Sequence, residues 1–508
     1  MAETPEPQGG RARLLARPSP LTVLVGFNGI AQIAPIMVAF ALTPLILDRI
    51  GLDRFGIWSL ALVVLGTLTT LDAGISASLA RFFAIYAARD GRADTGRLLL
   101  GALVLFTGLA VLLTTIAFPI VPPAVEALNI PAGLHDEAIM VLRWLPPLAG
   151  LGLMADAAAA VLQGNGQFRA LAAAMLASSG AFALAVILLL DEGPSLDTLL
   201  VATALRYGVL AVVSLALAAH RVTFRRPLLP SRATWSELWR FSSRMQLSSL
   251  AGFVNSQLDA LVIAAVLPVR YVGLYGIGMQ AAAAARSVPL YAFAPLLTLF
   301  SRTFGEHGRE AAAAEFERFE NRWLPGVMGY GLVAVAAIGF SVPIWLGDDY
   351  HLAGLTAAIL LAGYTVHVGL TGMRTCYVRA IGRPGLETRY SSVWMIGNAA
   401  ITIPCALLAG MLGVVGATAL TGIVASVYFV VLCRRREQLP VVVPGRRSWA
   451  WAAVTVAITV VGELAILATG LHGFFPLALT LLPPAAALLM LVGRAGRAPR
   501  ATAVAGAR

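Results

Sequence analysis

Blocks of about 20 or more predominantly apolar residues recur along almost the whole chain, and this pattern limits the fold more than any other feature. An α-helix of that length matches the thickness of the hydrocarbon core of a bilayer. Charged residues make up only 12% of the 508 residues, about half of the share found in soluble domains. The sequence therefore predicts an all-α polytopic membrane protein and leaves no stretch for a separate soluble domain.

The apolar pattern predicts about 14 transmembrane helices, arranged as two six-helix lobes followed by two further helices. We place the spans at residues 21–47, 55–80, 98–121, 138–162, 170–190, 198–219, 242–267, 273–299, 325–346, 354–378, 390–411, 414–432, 449–470 and 474–492. The predicted organisation is a cytoplasmic tail (1–20), an N-lobe (21–219), a basic cytoplasmic linker (220–241), a C-lobe (242–432), a basic cytoplasmic loop (433–448), the last two spans (449–492) and a cytoplasmic tail (493–508).

The distribution of arginine predicts the orientation of these spans. All 37 basic residues are Arg, and 29 of them fall in alternate connections, whereas the opposite connections hold only Arg49, Arg54 and Arg270. Short connections rich in basic residues face the cytoplasm. Both termini are therefore expected in the cytoplasm, which requires an even number of spans. The net charge of +11 reflects this topology and does not indicate a nucleic-acid partner.

Two local similarities indicate that the lobes are an internal repeat in parallel orientation. Residues 55–58 (Phe-Gly-Ile-Trp) resemble residues 272–275 (Val-Gly-Leu-Tyr) at an offset of 217. Residues 164–167 (Gly-Asn-Gly-Gln) correspond to residues 382–385 (Gly-Arg-Pro-Gly) at an offset of 218. Chance similarity between glycine-containing turns is the alternative interpretation.

One connection is more than a link between spans. Residues 301–323 are rich in Ala, Glu and Arg, which permits a helix. We expect a solvated charged helix between two spans, with a helix on the inner membrane surface as the alternative.

Several chemistries are excluded by residues that the sequence lacks. There is no Lys, and therefore neither a Walker A lysine nor a Schiff-base lysine. Cys376, Cys405 and Cys433 lack the spacing of metal ligands, and no HExxH motif is present. The longest outer connection, residues 122–137, carries acidic residues that we interpret as helix caps. We expect no enzymatic activity, no catalytic residue, no metal and no cofactor.

Charged residues inside the spans are the informative class, because each is costly in hydrocarbon and usually lines a cavity or pairs with a partner. Arg206 and Arg286 reach well toward the midplane, whereas Arg143 lies nearer the outer end of its span. Arg244 and Arg374 lie nearer the inner end, where we expect the side chains to snorkel to the headgroups. The acids in the spans are Asp72, Asp156, Asp259 and Glu463.

Two interpretations of these charges remain open: an electropositive cavity for an anionic substrate, and Arg–carboxylate pairs that only hold helices together. The cavity candidates, including amides in the first helix of each lobe, are Arg206, Arg286, Arg143, Arg244, Arg374, Asn28, Gln32, Asn255 and Gln257. The candidates for binding a coupling H⁺ or Na⁺ are Asp72, Asp259 and Glu463, with structural pairing as the equal alternative. We interpret His367 as a hydrogen-bonded core residue.

The residues also resemble a known family. The run PLILDRIGLDRFGIW at 44–58, then Leu-Asp-Ala-Gly at 71–74 and Ala-Arg-Phe at 80–82, resembles the opening helices of polysaccharide flippases, the O-antigen and exopolysaccharide exporters. Residues 257–259 (Gln-Leu-Asp) and 272–275, with Pro295, are similar to the middle section of that family. The resemblance covers roughly residues 21–435 and points to the multidrug, oligosaccharidyl-lipid and polysaccharide exporter superfamily.

The resemblance implies alternating access around a central cavity between two lobes. It implies transport of an undecaprenyl-diphosphate-linked oligosaccharide from the inner to the outer leaflet of the bacterial cytoplasmic membrane, for cell-surface polysaccharide biosynthesis. The implied partners are that lipid-linked substrate, membrane lipids and polysaccharide-assembly proteins. The alternatives are a multidrug or metabolite cation antiporter of the same superfamily, and a membrane polysaccharide polymerase or ligase, against which the short outer connections argue.

Overall fold

The computed structural model describes residues 20–70, 75–88, 91–226, 228–441, 446–470, 472–473, 476, 478–479 and 482. These residues form helices and connections, with no strand among them. The α-helices are α1 (Pro20–Thr70), α2 (Ile75–Ala88), α3 (Arg92–Ala127), α4 (His135–Gly164), α5 (Phe168–Glu192), α6 (Leu196–Ala218), α7 (Arg232–Val266), α8 (Arg270–Leu290), α9 (Phe293–Leu346), α10 (His351–Ala380), α11 (Gly385–Glu437) and α12 (Arg446–Ala468).

The predicted all-α polytopic membrane fold is confirmed. Eight helices in the described part of the chain are long and apolar enough to cross a membrane. Three helices are interrupted by non-helical residues, at Gly51 in α1, Gly308 in α9, and Ala409 with Gly410 in α11. The interruptions at Gly51 and Gly308 lie between predicted spans, whereas Ala409 and Gly410 fall at the end of the predicted span 390–411. Every predicted span through residue 470 has a helical counterpart among its described residues. The last predicted span, 474–492, lies almost entirely outside the described residues.

The interruption in α11 is a helical hairpin, whose limbs we define as the first limb (385–408) and the second limb (411–437). Gly410 has φ +59°, a conformation that glycine adopts without steric cost. Side chains on the two limbs then meet, because Thr418 Oγ1 lies 3.0 Å from Asn398 Oδ1. α7 begins at Arg232, so the second half of the predicted basic linker is helical.

The connection at 301–323 is helical and most of its charged residues are exposed, as expected, but it is not a single helix. It is the tip of a second helical hairpin, with Gly308 at φ +79° between its limbs. The Phe300 and Phe316 rings lie 6.5 Å apart across this hairpin, and Phe316 and Ala312 are fully buried. Periodic apolar residues among the charges, at 312 and 316, therefore pack inward and hold the tip against the C-lobe.

The two lobes meet along α1 and the first helices of the C-lobe. α3 packs on α4, and α4 and α5 pack on α6, whereas α10 packs on α8, α9 and α11. α1 packs against α7 and α8 across the lobe boundary. One hydrophobic cluster spans this boundary, with Ile57 and Leu60 on one side and Val272 and Ile277 on the other. α12 lies against α9.

Glycines related by the repeat touch each other at this boundary. A Cβ built on Gly273 would lie 3.2 Å from the Cα of Gly56, and a Cβ built on Gly56 would lie 2.2 Å from the carbonyl oxygen of Val269. Val269 also donates its backbone N–H to the Asn129 carbonyl at 3.1 Å. The lobes are therefore in backbone contact on this face of the protein, and the contact depends on two residues without side chains.

The second pair of similar segments, 164–167 and 382–385, also matches in the structure, but at a different offset. Gly166 and Gly382 both have positive φ, +70° and +74°, and each follows the end of a helix. The residue after each glycine donates its N–H five residues back, Gln167 to Leu162 and Arg383 to Val378. Both turns are Schellman-type helix ends, and they match at an offset of 216 rather than 218.

Candidate functional site

A buried carboxylate joins three helices in the C-lobe. Asp259 on α7 is 1% exposed and accepts from Thr418 at 2.6 Å and Tyr275 at 3.2 Å, both at Oδ2. Asn398 Nδ2 donates to Oδ1 of the same carboxylate at 3.4 Å. Thr418 and Asn398 reach Asp259 together because the α11 hairpin places its two limbs side by side.

Neutral groups surround this carboxylate. Asn398 Oδ1 accepts from Thr402 at 3.0 Å and lies 3.0 Å from the Thr418 hydroxyl and 3.5 Å from the Thr421 hydroxyl. No arginine is among the hydrogen-bond partners of Asp259 in the described chain, contrary to a simple Arg–carboxylate pair. We name the set of Asp259, Tyr275, Asn398, Thr402, Thr418 and Thr421 the Asp259 cluster. Carboxylate, amide and hydroxyl oxygens of this kind can bind a proton or a hard monovalent cation.

Arg286 lies on α8, near this cluster. Its guanidinium carbon stands 4.2 Å from the centre of the Tyr364 ring on α10, a cation–π contact. Its Nε is buried without a hydrogen-bond partner among the described residues. The side chain of Arg286 is half-buried, so it presents unused N–H donors beside an aromatic support.

His367, one turn beyond Tyr364 on α10, is a core residue as expected. Its Nδ1 lies 3.0 Å from Ser426 Oγ, and its ring centre is 4.6 Å from that of Trp394.

Arg206 lies apart from Arg286. It stands on α6 with its guanidinium carbon 6.0 Å from the ring centres of Phe182 and Tyr207. These rings belong to the N-lobe, whereas Tyr364, which supports Arg286, belongs to the C-lobe. Asp156 on α4 is exposed. The structure therefore does not gather the two midplane arginines into one contact.

Arg374 does not snorkel, which corrects the expectation. It is 1% exposed and forms an ion pair with Glu320 of α9, which is fully buried. Its Nη1 also donates to the Leu370 carbonyl at 2.7 Å and its Nη2 to the Pro440 carbonyl at 3.1 Å. The sequence placed Glu320 in a solvated segment, so this pairing was missed. Arg374 ties α9, α10 and the segment after α11 together.

Arg143 contacts the neighbouring helix α3. Its Nη2 donates to the Phe118 carbonyl at 3.2 Å, and its guanidinium carbon stands 4.4 Å from the Phe118 ring centre. That carbonyl lacks its usual helical donor, because the residue four positions later is Pro122. The arginine therefore compensates for a proline in a membrane helix.

Glu463 on α12 is 1% exposed, and neither of its carboxyl oxygens has a hydrogen-bond partner among the described residues. α12 packs on α9, and the segment after it is tied to the end of α9, because Gly473 donates its N–H to the Ile344 carbonyl at 2.8 Å.

Of the remaining candidates, the structure describes the side chain of Gln257 but not the side chains of the others. Gln257 faces the lobe boundary, with its Nε2 3.8 Å from a Cβ built on Gly66 of α1. Asp72 lies outside the described residues. The backbones of the other four lie in α1 and α7, and their side chains lie outside the described part: Asn28, Gln32, Arg244 and Asn255.

Sequence reasoning missed most of the Asp259 cluster. Asn398, Thr402, Thr418 and Tyr275 are uncharged residues inside apolar spans, where threonine commonly bonds to its own helix. The available signal was Asn398, an amide in the middle of a predicted span with a threonine one turn later.

Solved structures share this arrangement of helices. An inward-facing multidrug resistance MATE family transporter of the MOP superfamily has a TM-score of 0.66 and 16% identity, covering 81% of this chain and 94% of that one. The lipid II flippase MurJ in an inward closed conformation has a TM-score of 0.66 and 11% identity, covering 94% and 99%. The Vibrio cholerae MATE transporter VcmN in the bent form has a TM-score of 0.52 and 15% identity, covering 82% and 97%.

The chain thus shares its fold with these transporters and with this flippase. A model of the polysaccharide biosynthesis protein family matches residues 23–303, more than half of the chain. The chain belongs to this family, as the resemblance in its opening helices predicted. No curated protein matches the sequence.

Proposed function

We propose that this protein transfers an undecaprenyl-diphosphate-linked oligosaccharide from the inner to the outer leaflet of the bacterial cytoplasmic membrane. The family match over residues 23–303 supports a role in polysaccharide biosynthesis. The likeness to a lipid flippase and to multidrug transporters supports transport by alternating access, in which the two lobes rock about their boundary.

The observation that carries this proposal is the set of contacts that the Arg286 side chain makes. A charge within a membrane span is costly and is retained where it has a partner or a ligand. Arg286 has an aromatic support in Tyr364 and an unpartnered buried Nε among the described residues. A diphosphate offers paired acceptor oxygens that match the planar guanidinium fork, and arginine stays charged when water is excluded.

Other cavity residues have subsidiary roles in the proposal. Gln257, at the lobe boundary, would donate to sugar hydroxyls, and Arg206 would meet acidic groups on the glycan from the N-lobe side. The polyprenyl tail would stay in lipid at a gap between the lobes, bordered by α12. Arg374 and Arg143, whose bonds are described above, are kept out of the substrate cavity in this proposal.

We assign energy coupling to the Asp259 cluster. A cation that binds Asp259 would tighten contacts between α7, α8 and both limbs of α11, since the cluster draws its oxygens from all of them. Binding and release of H⁺ or Na⁺ at this carboxylate would then bias one arrangement of the C-lobe over another.

The test is a transport assay in cells depleted of the protein and complemented with variants. We expect depletion to accumulate complete oligosaccharide units on undecaprenyl diphosphate in the inner leaflet, detected by mass spectrometry of lipid extracts with an impermeant probe for leaflet. Arg286→Gln should reproduce the accumulation, and Arg286→Lys, which keeps the charge without the fork, should reproduce it in part. Arg302→Gln, at an exposed arginine of the α9 hairpin tip, is the matched control.

Accumulation of unpolymerised units in the outer leaflet would instead support the polymerase or ligase, and full transport by Arg286→Gln would contradict the cavity assignment.

The second candidate is a cation antiporter. It is favoured by the MATE transporter's TM-score of 0.66, equal to that of the flippase, and by a buried carboxylate without an arginine partner in the described chain. An unchanged lipid pool after depletion, together with Asp259-dependent efflux of a fluorescent organic cation, would favour this candidate over the flippase.

A further inference from the structure

A cavity of about 350 Å³ lies between α3 and α4 of the N-lobe. Its lining includes Phe118 of α3 and Trp144 of α4, which are 57% and 59% exposed. Large apolar side chains that stay exposed on a transmembrane helix face lipid. The cavity therefore opens on the lipid-facing perimeter of the N-lobe, and a membrane lipid is the molecule with direct access to it.

One end of the cavity carries a positive charge. Arg143 lines the cavity and uses Nη2 for the Phe118 carbonyl, while its Nε is buried without a partner in the described structure. Guanidinium has five N–H donors, and one protein carbonyl does not satisfy them. In a membrane, the anionic group with direct access to such a perimeter site is a lipid phosphate.

The other end of the cavity carries a negative charge. Asp136, also in the lining, is exposed and forms no ion pair or hydrogen bond within the described chain. It precedes Arg143 by seven residues on α4, about 10.5 Å along the axis, and therefore stands on the same helix face. Helical side chains tilt toward the N-terminus, which brings the guanidinium toward Asp136. The two groups do not pair with each other, which leaves space for a ligand that bridges them.

We propose that this cavity binds the headgroup of a zwitterionic phospholipid with a primary ammonium, of the phosphatidylethanolamine type. The phosphate would accept from Arg143, the ammonium would donate to Asp136 nearer the membrane surface, and the first acyl carbons would lie against Ile139, Met140 and Pro147. Charge complementarity selects this lipid, because an anionic phosphatidylglycerol headgroup offers Asp136 no cation. On the proposed topology the site faces the outer leaflet.

The experiment is competition between phosphatidylethanolamine and phosphatidylglycerol for the purified protein in mixed nanodiscs, read by native mass spectrometry of retained lipids. We expect Asp136→Asn to lower the preference for phosphatidylethanolamine by about two- to fivefold, the range for one exposed ion pair. Arg143→Gln should lower retention of both lipids, by about tenfold or more. Arg49→Gln, an outer arginine in an ion pair with Asp191, is the matched control and should change neither.

Two results would overturn the proposal. Equal retention of both lipids by the wild-type protein would exclude headgroup recognition, and an unchanged preference in Asp136→Asn would exclude the ammonium contact. Arg143→Gln also removes the bond to the Phe118 carbonyl, so the Asp136 variant, which alters only an exposed side chain, decides the outcome if the arginine variant does not fold. The readout is lipid retention, and it is independent of oligosaccharide transport.

Discussion

Substitution of Gly56 by alanine should open the contact between the lobes on the face where α1 meets α8. The added Cβ would lie 2.2 Å from the Val269 carbonyl oxygen and 2.8 Å from its carbon. Both are backbone atoms, so no side chain can rotate away. Real Cβ atoms stay at least 3.0 Å from such neighbours, and the backbones must separate by about 0.8 Å or more.

The magnitude follows from the cost of overpacking a close contact. An added methyl group in a well-packed site costs about 1–3 kcal/mol. This cost applies only while the lobes touch, so Gly56→Ala should shift the equilibrium toward an arrangement open on this face by about 5- to 150-fold. The shift requires no loss of folding, because alanine favours the helix by about 1 kcal/mol over glycine.

The assay uses a cysteine at Ser59, which is 8% exposed and faces Gly276 across the same contact. In a background without the three native cysteines, an impermeant maleimide should label this cysteine faster when Gly56 is alanine. Gly180→Ala is the matched control, since Gly180 lies on α5 with open space around a built Cβ. Equal labelling rates in the folded Gly56 and Gly180 variants would refute the steric reasoning.

Three further predictions concern the buried polar groups. Thr418→Val should lower the free energy of unfolding by about 1–3 kcal/mol, because the buried Asp259 carboxylate loses the hydroxyl that donates to it at 2.6 Å, and calorimetry in detergent checks this through the thermal unfolding temperature. Dicyclohexylcarbodiimide, which modifies protonated carboxyls in apolar surroundings, should label Glu463, and peptide mass spectrometry should find no label there in Glu463→Gln. Arg374→Leu alone should lower the free energy of unfolding by about 3–5 kcal/mol, because it leaves Glu320 buried without its partner. A second substitution, of Glu320 by Leu, should recover part of that stability. Additive losses in the double variant would contradict the last prediction.

The transmembrane helices were predictable because a span needs about 20 apolar residues. Such a block can be recognised in the sequence without knowledge of tertiary contacts. The hairpin tip at Gly308 was not predictable, because Phe316 and Glu320 lie among charged residues, and only the fold shows that they face inward. Asn398 and Thr418 are 20 residues apart in the sequence, and they become neighbours because the chain reverses at Gly410. The sequence pattern did not indicate this contact.

The sequence identified the charged residues inside the spans, but it did not show which of them bind a ligand and which hold helices together. Arg286 and Arg374 stand in the same kind of apolar stretch, and the Nε of each is buried without a hydrogen-bond partner among the described residues. Arg286 otherwise lies against the Tyr364 ring, whereas the Nη atoms of Arg374 bond to Glu320 and two backbone carbonyls. Which of these outcomes applies depends on residues brought in from other helices. Their positions in the sequence alone did not separate a ligand-binding arginine from a structural one.

The meeting of Gly56 with Gly273 has a consequence for how the two halves of such a chain can diverge. If the halves arose by duplication, one ancestral glycine now occupies both sides of a single contact. A side chain on Gly56 would displace the Val269 backbone, and one on Gly273 would press on the Gly56 backbone at 3.2 Å. A larger residue at either position therefore strains the same contact, and the two positions cannot drift independently. Flanking residues that face the interiors of separate lobes are under no such joint restriction, and sequence divergence between the halves should therefore be lowest where they touch.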